Sequence, residues 1–136
     1  MHLLKWASGC NESVGLEFTL NEDTACYECS GMGNCTDTIV TIPSGHNGVR
    51  VLGIGAWAFS TNYSGESFMV EKFILPEGIT YIGEGAFQGE YGEPTYTQAN
   101  LKEIILPHSL KIIYGEDGNQ AFSYCHALEK INLEDT

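Results

Sequence analysis

One motif recurs along this chain, and the recurrence restricts the fold more than any other feature. Val70-Glu-Lys-Phe73-Ile-Leu75-Pro76 leads through Ile79 and Ile82-Gly83 to Ala86-Phe87. Leu101-Lys-Glu-Ile104-Ile-Leu106-Pro107 repeats it through Leu110 and Ile113 to Ala121-Phe122, and Leu128-Glu-Lys-Ile131-Asn-Leu133 begins it again. A looser copy lies upstream in Val40-Thr-Ile42-Pro43, Val51-Leu-Gly-Ile54-Gly55 and Ala58-Phe59. A period of roughly 30 residues marks a solenoid, because one such unit cannot bury its apolar side alone. The prolines at 43, 76 and 107 and the Ala-Phe pairs at 58, 86 and 121 recur at unequal intervals, which places insertions in loops.

The physics of one unit is legible. Leu101, Ile104 and Leu106 lead into Pro107, which lacks an N–H and ends ladder pairing. Leu110 and Ile113 supply a second short extended stretch, and Ala121-Phe122 a small helical or irregular turn. Stacked units then align Phe59, Phe87 and Phe122 as a core column. The same alignment puts Glu71, Lys102 and Glu129 in one strand row and Lys72, Glu103 and Lys130 in the next. Charge alternates along both rows, as in-register parallel stacking favours, since like charges side by side cost energy. A third row holds Thr41, Ile74, Ile105 and Asn132, with two adjacent isoleucines available for contact or for cover by another part of the chain.

The pattern L-x-x-I-x-L-P-x-x-I/L-x-x-I-G-x-x-A-F resembles the BspA-like leucine-rich repeats of surface and secreted proteins from gut and oral bacteria and mucosal protists. The stretch from Gly15-Leu-Glu-Phe18-Thr-Leu20 through Ser30-Gly-Met-Gly33-Asn-Cys-Thr-Asp37 to Ile42-Pro43-Ser-Gly-His-Asn-Gly48 is similar to the lead-in common in that family. The resemblance spans roughly residues 15–136. It implies a mainly β solenoid of leucine-rich-repeat coils, with short parallel strands, short helical or irregular turns, and an N-terminal β-hairpin cap. It implies a secreted or cell-surface location and noncatalytic adhesion or recognition of a protein on a host or neighbouring cell. The chain departs from the family in its long insertions, and only Phe122-Ser-Tyr-Cys125 keeps the usual cysteine after Ala-Phe.

The cap also follows from the residues. Leu16, Phe18 and Leu20 alternate as in a half-buried strand, Asn21-Glu-Asp23-Thr24 is a turn, and Ala25–Cys29 is the returning strand. The expected organisation is an N-terminal segment over 1–14, a capping hairpin and lead-in over 15–38, and about three coils over 39–136. Ala7-Ser8-Gly9-Cys10 resembles the end of a lipoprotein signal, but Ala7 and the short apolar stretch before it depart from that pattern. No comparable cap follows Leu133, so the ending reads as a truncation.

Composition narrows the function. Eighteen Asp and Glu stand against six Lys and Arg, a net charge of −12. That balance argues against nucleic acid, whose phosphates need neutralising cations. No apolar run approaches the roughly 20 residues of a membrane span. Gly-x-Ser-x-Gly, the P-loop and His-Glu-x-x-His are absent, so no enzyme and no cofactor is expected.

Cys26, Cys29 and Cys35 leave three alternatives open: a zinc site completed by Cys10 or His46, a disulfide among the three, or free thiols. Residues three apart on a strand face opposite sides, which weighs against zinc at Cys26 and Cys29. Cys125 reads as a small core residue, and His108 as a surface or loop residue. Gly115-Glu-Asp-Gly-Asn119 carries calcium-friendly oxygens at a spacing that fits no EF-hand.

The insertions Thr61–Phe68 and Gly89–Asn100 both follow an Ala-Phe pair and hold Tyr63, Phe68, Tyr91 and Tyr96. With Ile74 and Ile105, these aromatics form the candidate binding set. Aromatic loops recognise protein by large contact area at low entropic cost. Tyrosines also stack on sugar rings, so the alternative is a glycan-binding accessory unit of a larger secreted protein.

Overall fold

Ten short strands arrange the described chain into two sheets with a common core between them. The computed structural model describes residues 12–60, 69–89, 100–115, 120–123, 125 and 128–133. β1 (Glu17–Asn21) and β2 (Cys26–Gly31) form the expected antiparallel hairpin, and Asn21 Oδ1 accepts the Asp23 N–H at 2.9 Å in its turn. They are followed by β3 (Ile39–Thr41), β4 (Gly45–His46), β5 (Val49–Ile54), β6 (Lys72–Ile74) and β7 (Tyr81–Ile82). β8 (Glu103–Leu106), β9 (Ile112–Ile113) and β10 (Lys130–Leu133) complete the set. One sheet has the order β1-β2-β5-β7-β9, with β4 paired to the start of β5; the other runs β10-β8-β6-β3.

Each coil gives one strand to each sheet, and the coil-to-coil pairings are parallel. In the four-stranded sheet Lys72 pairs with Glu103 and Glu103 with Lys130, while Thr41, Ile74, Ile105 and Asn132 share one line. These are the rows that the repeat alignment predicts. In the longer sheet β2 joins β5 in parallel, so the cap hairpin continues that sheet beyond the first coil. On the other sheet the edge of β3 is met by Ser13. Its N–H donates to the Thr41 carbonyl at 2.9 Å, and its Oγ accepts the Thr41 N–H at 3.0 Å.

A third set of parallel bonds runs along the Ala-Phe turns. The Phe59 N–H donates to the Ala86 carbonyl at 2.7 Å, and the Phe87 N–H to the Ala121 carbonyl at 2.8 Å. Ala58, Ala86 and Ala121 are buried there, small enough to let the chain turn over the phenylalanines. The expected column is present: Phe59 stacks on Phe87 and Phe87 on Phe122, both at 5.5 Å, with Phe73 edge-on to Phe87 at 4.9 Å. Val40, Ile42, Phe73, Leu75, Ile104 and Leu101 fill the core from the four-stranded side, and Ile54, Ile79 and Ile82 from the other.

One close contact explains a fixed glycine of the motif, and side-chain bonds fasten the coils just after the prolines. A Cβ at Gly83 would strike the Ala56 nitrogen and the Gly55 carbonyl carbon, so this position lets neighbouring coils approach backbone to backbone. After the prolines, the coils are stapled by side chains. Ser109 Oγ accepts the Gly78 N–H and donates to the Ile79 carbonyl, both at 2.8 Å, while Glu77 accepts the His108 N–H at 2.8 Å and the Ser109 N–H at 3.2 Å. His108 also faces the Glu77 carboxylate through Nδ1 at 3.6 Å, with both side chains about half exposed.

The first coil carries an extra hairpin. Asn47 and Gly48 both have positive φ (52° and 77°) between β4 and β5, the conformation that a two-residue type I′ turn requires.

Candidate recognition surface

Alternation along the four-stranded sheet sends Val40, Phe73 and Ile104 inward and leaves two rows on the outer face. Ile39, Lys72, Glu103 and Lys130 make one row, and Thr41, Ile74, Ile105 and Asn132 the other. Ile74 and Ile105 are register partners and half-buried, so they form a continuous aliphatic strip between threonine and asparagine. Glu103 organises the rail beside it. One of its oxygens meets Lys72 Nζ at 3.5 Å and the other accepts an Asn132 amide N–H at 3.1 Å, so one carboxylate links three strands. At the β3 end Ile39 is 55% exposed and extends the apolar surface.

This face offers dispersion contact and alternating charge on a hydrogen-bonded parallel ladder. Tyr63, Phe68, Tyr91 and Tyr96 lie outside the described residues, as do Cys10, His126 and most of the stretch 115–119.

The cysteines separate as strand geometry requires. Cys29 and Cys35 are buried and Cys26 is half-buried; all three are free thiols. Burial pushes the Cys29 thiol up to about 12, helped by the nearby Cys35 and Glu17 and opposed by a hydrogen bond from the Gly31 backbone. Among the described residues no group of three or more His, Cys, Asp or Glu is placed to hold a metal ion. His46 instead stacks on Phe18 at 4.1 Å and meets Tyr27 edge-on at 4.9 Å, fastening the extra hairpin to the cap. Cys125 packs against the core and its thiol donates to the Phe87 carbonyl at 2.9 Å; burial raises it too, to about 12.

A second outward surface, on the longer sheet, was not read from the sequence. Tyr81 lies across Gly53, where a Cβ would run into its ring, and its hydroxyl donates to Glu28 Oε2 at 2.5 Å. Tyr114 stands edge-on to Tyr81 at 6.2 Å. Aligning Ile54-Gly55 with Ile82-Gly83 puts Gly53 beside Tyr81, so the signal was present in the repeat.

The repeated coil, its two parallel sheets and its Ala-Phe turns coincide with a known family. A profile described as the BspA type leucine-rich repeat region matches residues 17–113 and 89–136, with six copies. This chain belongs to the BspA-type leucine-rich-repeat family. Repeats of this type are noncatalytic adhesion and recognition modules of surface and secreted proteins, and the chain is such a module rather than an enzyme.

No curated protein sequence matches it. Among solved structures, the leucine-rich-repeat protein of T. pallidum aligns with 21% identity and a TM-score of 0.50, covering 84% of this chain and 56% of that one. A leucine-rich cell surface protein of Faecalibacterium prausnitzii A2-165 aligns with 17% identity and a TM-score of 0.39, covering 94% and 44%. The chain thus spans about half the length of these solved proteins. The T. pallidum likeness supports the fold. Among the described residues no helix is long and apolar enough to cross a membrane.

Proposed function

We propose that this BspA-type module binds a protein on a host or neighbouring cell surface through the outer face of the four-stranded sheet. The observation that carries the reading is the Ile74–Ile105 strip beside the Lys72–Glu103–Asn132 rail. An aliphatic centre flanked by fixed charges of both signs suits a protein partner, whose interfaces join an apolar core to a polar rim. Such a strip selects a complementary strip and performs no bond chemistry. The insertions that carry Tyr63, Phe68, Tyr91 and Tyr96 extend the contact in this proposal.

The test is binding of the purified chain to a panel of host matrix and cell-surface proteins. The informative variant is Ile74→Thr with Ile105→Thr, because threonine already occupies this row at position 41. Losing the aliphatic ends of both side chains should weaken binding by about tenfold or more, on the order of 1–2 kcal/mol. A second variant shortens both insertions to the length of an uninterrupted repeat. Binding that survives both changes in folded protein would remove the proposed surface from consideration.

A further inference from the structure

We infer that the outward face of the longer sheet is a second binding surface, and that it takes a neutral oligosaccharide. It stands apart from the protein-binding strip, since a different sheet carries it.

Two adjacent rows make up this surface. One holds Thr19, Glu28, Gly53, Tyr81 and Ile112, as the pairings of β1, β2, β5, β7 and β9 place them. The other lies two residues on, which returns it to the same face of the strands. The ladder bonds Gly55 N–H to Cys29 carbonyl, Gly83 N–H to Ile54 carbonyl and Tyr114 N–H to Ile82 carbonyl set Ser30, Gly55, Gly83 and Tyr114 side by side.

The polar groups on these rows are joined and fixed in place. Tyr81 reaches over Gly53 to donate to Glu28, and Glu28 Oε1 rests against Gly55. Thr19 Oγ1 donates to Ser30 Oγ at 3.0 Å, and Ser30 Oγ lies 3.5 Å from Glu17 Oε1. At the other end Tyr114 is 50% exposed and braced by the edge-on ring of Tyr81. From β1 to β9 the band crosses four strand spacings, about 19 Å at the usual separation. That is the reach of a short chain of sugar rings rather than of one ring.

The chemistry of the band selects the ligand class. A sugar ring presents an apolar C–H face and a rim of hydroxyls. An exposed tyrosine matches the face, and an array of carboxylate and hydroxyl groups held on the sheet matches the rim. Hydroxyl donation to an ionised carboxylate is among the stronger hydrogen bonds available. The two rows contain no lysine or arginine, while Glu28 and the adjoining Glu17 are acidic, so sulfated, phosphorylated and uronic-acid chains are repelled. The glycines at 53, 55 and 83 leave the band flat, and Ile112 is its one large aliphatic side chain, too little apolar area for a protein interface.

The experiment is affinity electrophoresis of the chain through gels containing laminarin, mannan or soluble xylan, with heparin as the anionic control. Three variants accompany the wild type: Tyr114→Ala, which alters a half-exposed side chain; Tyr81→Phe, which keeps the ring over Gly53 and removes only the hydroxyl; and the Ile74→Thr/Ile105→Thr pair. Circular dichroism establishes that each is folded.

Retardation by at least one neutral polysaccharide is expected, weakened tenfold or more by Tyr114→Ala and severalfold by Tyr81→Phe, and unchanged in the isoleucine pair. The inference is overturned if no neutral polysaccharide retards the wild type or if heparin alone does. It is equally overturned if retardation persists in folded Tyr114→Ala, or if it is lost in the isoleucine pair instead. Failure of the protein-binding proposal would leave these outcomes as they stand.

Discussion

The phenylalanine column allows a quantitative test of how the coils are held together. Phe87 is fully buried, stacked on Phe59 and on Phe122 and edge-on to Phe73. Removing a buried phenylalanine ring costs about 3–5 kcal/mol, from lost transfer energy and the cavity left behind. Three rings lose their partner here, and aromatic pairs contribute roughly 0.5–1.5 kcal/mol each beyond area, so Phe87→Ala belongs at the upper end. Phe122 is half-buried and stacks on Phe87 from one side. About half of a fully buried ring's roughly 3 kcal/mol, with one pair term, gives about 2–3 kcal/mol for Phe122→Ala. Domains of this kind are stable by only about 5–15 kcal/mol, so the first change removes a large share. Urea unfolding followed by circular dichroism measures both variants and their double mutant. The expected order is Phe87→Ala well above Phe122→Ala, with a coupling of about 1 kcal/mol between them. Equal losses, or a Phe87→Ala loss below about 2 kcal/mol, would show that the column is not what fastens coil to coil.

Other consequences are simpler to check. Gly83→Ala forces a methyl into the backbone of residues 55 and 56 and should cost about 1–3 kcal/mol; an unchanged thermal midpoint would contradict the close approach. Ser109→Ala leaves the Gly78 N–H and the Ile79 carbonyl without their partner and should cost about 1–3 kcal/mol, whereas Ser109→Thr, which keeps the hydroxyl, should recover part of it in the same melts. Cys29 and Cys125 hold their protons up to about pH 12 in the fold but titrate near 9 when unfolded. Between those values the folded state binds more protons, so stability falls as pH rises, by about 1 kcal/mol per pH unit for each thiol, with no effect below 9. Urea midpoints from pH 8 to 11 for the wild type and for Cys29→Ala/Cys125→Ala test this; parallel decline in the two proteins would assign the alkaline loss to other groups.

The repeat makes most of the architecture readable from the sequence alone. Because a parallel stack keeps register, aligning Pro76 with Pro107 was enough to pair Lys72 with Glu103 and Ile74 with Ile105, and both pairs are found. The cap hairpin was legible from the alternation Leu16, Phe18, Leu20 and the turn at Asn21. The repeat pattern does not reveal the Asn47-Gly48 turn, although that dipeptide between extended segments is a strong local hairpin signal. Periodicity could not show that β2 pairs in parallel with β5, nor that Tyr81 reaches Glu28, 53 residues away in sequence. Such contacts depend on where the cap docks, and no local pattern encodes it. His46 illustrates the same limit: considered as a metal ligand from its residue type, it is a packing partner of two aromatic rings.

The edge at Ser13 has a dynamic consequence. Among the described residues, the longer sheet ends on a five-residue strand, while the four-stranded one is met at Thr41 by Ser13, through one amide and one hydroxyl. Breaking these two hydrogen bonds releases Ser13 from β3, whereas peeling the other sheet means dislodging a hairpin and the aromatic rings behind it. Of the two described edges, the one at Ser13, on the sheet that carries the isoleucine strip, is therefore the easier to open. A partner lying along that strip would clamp the strand most prone to breathe, so part of its binding energy goes into quieting β3, and slowed amide exchange there would report occupancy of a face the partner covers only in part.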